Sequence, residues 1–122
     1  SSMIHMLDAL LGIEHEKSAK AFRFQSDMLK YMPAPHRRLV QDFKADIQKS
    51  GSIKDCARRN HNIVPAYDGA LRTYAAFRKS HLAIASSFLS STHQGTGQST
   101  FREMLRETLD NTEASFLGRG ES

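Results

Sequence analysis

Residues 65–90 read PAYDGALRTYAAFRKSHLAIASSFLS, and this stretch decides the fold. Pro65 suits the first turn of a helix, where its missing N–H loses no bond and its fixed φ is already helical. Steps of four and three residues give Tyr67, Leu71, Tyr74, Arg78, His81, Ala85 and Phe88, which predicts one face of a long helix ending near Ser90. Every member is apolar or aromatic except Arg78 and His81, which are three residues apart and therefore neighbours. A guanidinium on a core-facing stripe must be paired, because an isolated buried charge is very costly. Its partner should be a carboxylate, or the anionic arm of a ligand gripped through two hydrogen bonds.

Outward from this helix the chain predicts further helices and no strand. Ser2 suits an N-cap before Ile4, Leu7 and Leu11, and Asp8 falls on the same side as that apolar stripe. A second helix is expected over Ser18 to Tyr31, stopped by Met32-Pro33-Ala34-Pro35. Pro35 opens a third, with Leu39, Val40, Phe43 and Ile47, ending near Ser50-Gly51. Ser52-Ile53-Lys54-Asp55 resembles a capping box with Asp in place of Glu and opens a short helix. Arg58 to Val64 is a connection, and 91–99 is a loop. Thr100-Phe101-Arg102-Glu103 is expected to cap a last helix through Leu109. The expected architecture is an all-α helical bundle over residues 1–117 with a loose tail at 118–122.

Composition agrees with a soluble globular domain. The chain has 122 residues, a formal charge of +4, 39% apolar and 25% charged residues. Intrinsic disorder and collagen are excluded. No apolar run approaches the ~20 residues that cross a bilayer. Cys56 stands alone, so no intrachain disulfide forms and an oxidising compartment is not indicated; the expected setting is cytoplasmic. The basic residues Lys30, Arg37, Arg38, Lys44, Lys54, Arg58 and Arg59 are interleaved with Asp27, Asp42, Asp46 and Asp55. That pattern reads as a solvated face, and neither nucleic acid nor membrane is expected as a partner.

Two helices thus each place a charge where the core should be, which leaves two readings. In the first, Asp8 and Arg78 form a structural salt bridge and His81 is a satisfied core histidine. In the second, His81 binds a metal and Arg78 holds an anionic arm of the cofactor. A single histidine without a Cys/His cluster does not make a structural zinc site. It does suit a haem, whose iron needs one protein ligand, whose propionates need a cation and whose porphyrin needs an apolar slot. His5, His15, His36, His61 and His93 read as surface residues, and Cys56 as a buried thiol. Gly95-Thr96-Gly97-Gln98-Ser99 precedes a helix start and reads either as a flexible turn or as a mobile lid over a substrate. No P-loop lysine follows it, so it does not read as a nucleotide site.

Four segments, in order, resemble the indoleamine 2,3-dioxygenase family. Asp8-Ala9-Leu10-Leu11-Gly12-Ile13 is similar to its D-x-L-L-G-I, and Tyr31-Met32-Pro33-Ala34-Pro35-His36-Arg37 to its Y-M-P-x-x-H-R. Ala66-Tyr67-Asp68 followed by Phe77-Arg78-Lys79-Ser80-His81-Leu82 is similar to A-Y-[ND] and [FL]-R-x-x-H-[LI]. Gly95-Thr96-Gly97 is similar to the start of its G-T-G-G-T loop, although Gln98-Ser99 departs from it. The resemblance covers nearly the whole chain and corresponds to the C-terminal part of the family's large helical haem domain.

The resemblance implies haem b, with His81 as the proximal iron ligand, Arg78 near a propionate and Asp8 supporting that side. Ile4, Ile84, Ala85, Phe101 and Met104 align with the lining of the proximal pocket. Gly95, Thr96 and Gly97 match the loop that closes over the substrate, with Thr96 taking a catalytic part by helping to fix the amino-acid head group. The implied reaction inserts O₂ across the indole C2–C3 bond of L-tryptophan or a related indole and gives N-formylkynurenine, the entry to tryptophan catabolism. The distal pocket is expected from the remaining N-terminal part of the same protein, possibly as a separate chain.

Overall fold

The computed structural model describes residues 2–14, 23, 26, 29–90 and 96–118. Among them run α1 (Ser2–Leu11), α2 (Ala34–Ser50), α3 (Ile53–Arg59), α4 (Val64–Ser90) and α5 (Thr96–Glu113), with 3-10 turns at Leu29–Tyr31 and His61–Ile63 and no strand. The architecture is all-α, as expected. Most of the helix expected over Ser18 to Tyr31 lies outside the described residues, and its end at Leu29–Tyr31 is a 3-10 turn. Such a turn tightens a chain about to meet Pro33, which bars Met32 from the α region.

Local sequence sets most boundaries. α1 ends in a Schellman motif: Gly12 takes a left-handed φ of 66°, its N–H reaches Ala9 O at 3.1 Å, and the Ile13 N–H reaches Asp8 O at 3.0 Å. Ile13 is thereby turned into the core. A Cβ on Gly12 would also meet Ser52 Oγ at 2.5 Å and Lys54 Cβ at 2.8 Å. Gly12→Ala should therefore lose roughly 2 kcal/mol or more, since a left-handed backbone alone costs about 1–2 kcal/mol. Urea unfolding measures this, and an unchanged midpoint would contradict it.

The short helix α3 opens on the expected capping box: Ser52 Oγ accepts from Asp55 N at 3.2 Å, and Asp55 Oδ2 accepts from Ser52 N at 2.9 Å. Cys56 is exposed rather than buried, because α3 turns Lys54 and Ala57 inward instead. Residues 91–95 of the expected loop lie outside the described residues. The last helix starts at Thr96, not Thr100, so Thr100 lies inside α5 and is not its cap. Gly97 falls in a first turn, where no backbone N–H needs an intrahelical partner, and Gln98 to Thr100 carry only modest helix penalties.

The long helix α4 is the spine. It packs most extensively against α5 and also against α3, while α1 lies on α2 and α3. One apolar cluster joins Leu11, Ile13, Ala57, Tyr67, Leu71 and Tyr74, with Ile4, Leu7, Phe116 and Leu117 packed on it. A second joins Ala75, Leu82, Ala85, Leu105 and Leu109, with Phe101 and Met104 beside it. The chain end returns to α4, where Asp68 accepts from the N–H groups of Leu117 and Gly118, both at 2.9 Å. Gly118 is thus held rather than loose, and 119–122 lie outside the described residues.

The buried face of α4 follows the expected stripe only part of the way. Tyr67, Leu71, Tyr74, Arg78 and Ala85 are buried, but His81 and Phe88 are exposed and Leu82 takes the inward place. A strict seven-residue step drifts by ~20° per heptad against a straight helix, so over this length the stripe walks off the buried side.

Candidate functional site

The sequence placed charges on two apolar stripes, and the fold brings them together. Arg78 Nη2 lies 2.9 Å from Asp8 Oδ1 and 2.8 Å from Oδ2, with both residues 6% exposed. Nη1 donates to Thr108 O at 3.1 Å and to Thr112 Oγ1 at 2.8 Å. Both terminal nitrogens are therefore engaged. The Tyr74 hydroxyl donates to Asp8 Oδ1 at 2.7 Å, and Arg78 Cζ stands 4.4 Å from the centre of the Tyr74 ring. This network ties α1, α4 and α5. Tyr74 belongs to the first apolar cluster, while Thr108 and Thr112 alternate along α5 with Leu105 and Leu109 of the second.

Burial acts on the two core phenols. It pushes Tyr67 up to about 12. It also raises Tyr74, with the hydrogen bond to Asp8 as the next cause. The Tyr67 hydroxyl donates to Leu11 O at the end of α1. Raised phenol pKa values mean that stability is fully present below the unfolded value near 10 and is lost as pH climbs toward the folded value. The urea midpoint should hold to about pH 9 and fall between about pH 10 and 12, less steeply in Tyr74→Phe. A midpoint indifferent to this range would contradict the burial of these hydroxyls.

Beside the network lies a partly open cavity of about 330 Å³. Ile4 of α1, Phe77 of α4, and Phe101, Met104 and Leu105 of α5 form its apolar wall, and His5, Asp8, Arg78, His81 and Thr108 line the rest. The His81 ring is flanked by Phe77 at 6.0 Å and Phe101 at 6.4 Å between centroids. Among the described residues its imidazole takes no hydrogen bond and no ion pair.

The cavity thus gathers Ile4, Asp8, Arg78, His81, Phe101 and Met104. Ala85 is buried in the second cluster outside the lining, and Ile84 is 70% exposed. Gly95 is outside the described residues. Thr96 and Gly97 begin the helix that carries Phe101, about 7.5 Å of helical rise further on. His5 was expected at the surface, yet it lines the cavity. The usable signal was its spacing of three from Asp8, which puts the two on one face. Thr108 and Thr112, an i, i+4 pair, were also not singled out.

Among the described residues no group of three or more His, Cys, Asp or Glu could hold a bare metal ion. One imidazole on an apolar cavity suits an iron that brings its other in-plane ligands with it, as in haem. Nor, among these residues, is any helix long and apolar enough to cross a membrane.

A model of the indoleamine 2,3-dioxygenase family matches residues 1–115. Indoleamine 2,3-dioxygenase 1 of Rattus norvegicus is 25% identical over 96% of this chain and 33% of its own length. A 6-hydroxytryptophan 2,3-dioxygenase of Fusarium equiseti is 30% identical over 79% of the chain and 22% of its own. A protein named myoglobin from Haliotis madaka is 25% identical over 93% of the chain and 32% of its own. The chain spans about a third or less of these relatives. No solved structure gives a significant match. With the family match running over nearly the whole length, and with Asp8, Arg78 and His81 gathered about one cavity, the chain belongs to the indoleamine 2,3-dioxygenase family.

Proposed function

We propose that this chain forms the proximal side of a haem-dependent dioxygenase, with His81 as the protein ligand to the iron and L-tryptophan or a related indole as substrate. The observation that carries the reading is the His81 imidazole, unbonded among the described residues and opening on an apolar cavity one turn from a buried ion pair. Bound haem b supplies the redox chemistry that inserts both atoms of O₂ across the indole C2–C3 bond to give N-formylkynurenine.

The chain's own residues hold and shape. The Asp8–Arg78–Tyr74–Thr112 network fixes α4 against α1 and α5, and so sets the direction of the imidazole. Arg78, paired with Asp8 on the cavity wall, would hold an acid arm of the cofactor, with Asp8 supporting it. Ile4, Phe101 and Met104 keep water from its apolar side, and Ala85 and Ile84 extend the apolar surface along α4. Thr96 and Gly97 stand at the start of α5, where backbone N–H groups suit a substrate carboxylate and the segment would lie over the substrate. Phe77 and Phe88, 51% and 65% exposed, lie with Ile84 along α4, and a flank of this kind marks an interaction surface. The remaining N-terminal part of the same protein, in one polypeptide or as a separate chain, would cover it and complete the distal pocket.

The test is product analysis with reduced, haem-loaded full-length protein, L-tryptophan and O₂. N-formylkynurenine is expected. Haem binding without that product would favour another aromatic substrate, an alternative supported by the departure at Gln98-Ser99 and by a relative named 6-hydroxytryptophan 2,3-dioxygenase. No haem binding at all would leave a non-enzymatic helical module.

A further inference from the structure

We infer that the chain carries a second ligand site, at the N-terminal end of α4, which takes a small carboxylic acid with an apolar body. It does not rest on the haem reading. The site is a partly open cavity of about 360 Å³, lined by Ala57 and Arg58 of α3, His61 of the 3-10 turn, Val64 and Pro65 of α4, and Leu117 of the chain end. That volume lies in the range of small-molecule pockets. His81 follows Pro65 by 16 residues on α4, about 24 Å of helical rise, so this is not the cavity at His81.

The lining divides by chemistry. Ala57, Val64, Pro65 and Leu117 give it apolar walls. Its polar side chains, Arg58 and His61, are three residues apart, and no acidic residue lines it. Among the described residues neither side chain makes a hydrogen bond or an ion pair, and the Arg58 charge reaches Asp55 and Tyr67 only through space. The Asp55 carboxylate is bonded to Ser52, and that of Asp68 to the Leu117 and Gly118 N–H groups, which also fixes the Leu117 wall. A planar guanidinium fork matches a carboxylate, and the imidazole adds a second donor. The positive end of the α4 dipole favours the same charge.

Calorimetric titration of the full-length protein with phenylpropionate, and with its amide, which keeps the body and lacks the charge, tests this. The acid should bind at least about 10-fold more tightly than the amide, the difference expected for a hydrogen bond to a charged group. Arg58→Met should remove about that factor without moving the melting temperature, since Arg58 is exposed. Arg59→Met should stay at the parent affinity, because Arg59 reaches Cys56 and does not line the cavity. Added haem should leave the affinity for the acid unchanged. No binding of the acid, or equal binding of acid and amide, would overturn the inference. So would equal losses in Arg58→Met and Arg59→Met, which would mean a general attraction to basic side chains, and displacement by haem, which would put the acid in the His81 cavity.

Discussion

Replacing His81 by alanine is expected to lower haem affinity of the full-length protein by more than about 100-fold, since loss of groups merely supporting a ligand costs 10–100-fold. Folding stability should barely move. His81 is exposed, and its contacts within the described residues are the rings of Phe77 and Phe101. Surface substitutions of this kind fall within about 0.5 kcal/mol. The combination is diagnostic. A packing histidine would lose stability and leave haem binding alone, whereas an axial ligand does the reverse. Haem titration followed through the Soret band, together with a melt of the haem-free protein, reads both quantities.

Arg78→Ala is expected to do the opposite in kind. It leaves the 6%-exposed Asp8 carboxylate with Tyr74 but without its counter-ion, and takes the guanidinium donor from Thr112 Oγ1 and Thr108 O on α5. Breaking one side of a buried pair costs about 3–5 kcal/mol. For a domain of this size that is roughly 10–20 °C in melting temperature. Arg78→Lys should recover only part of this, because an ammonium cannot span Asp8, Thr108 and Thr112 as a planar fork does. Removing both charges together, with Asp8→Asn and Arg78→Met, should cost less than the sum of the single changes, since each alone leaves the other charge buried. Additive losses in urea unfolding would contradict the pairing.

Much of this was legible in the sequence because it is local or periodic. The Ser52–Asp55 capping box depends on residues three apart, and the end of α1 at Gly12 on a single backbone angle. The pairing of Asp8 with Arg78 followed from two charges on two apolar stripes, each needing a partner. What sequence hid was tertiary. His5 becomes a cavity residue only once α1 lies beside α4 and α5, and Thr108 and Thr112 matter only because Arg78 reaches them. The outward turn of His81 was missed for another reason. A seven-residue template fitted to a straight helix drifts, and by His81 it had passed the buried side to which Leu82 belongs. That error bears on function, because a core histidine is closed to a ligand while one at a cavity mouth is open to it.

On the proposed function, the His81 imidazole binds the iron of a haem seated in the cavity between α1, α4 and α5. Resonance Raman spectroscopy of the ferrous, haem-loaded full-length protein tests it most directly, through the iron–imidazole stretching band. The band should be present in the parent protein, absent in His81→Gly, and restored when free imidazole fills the space left in that variant. A band that survives unchanged in His81→Gly without added imidazole would place the iron on another residue and contradict it.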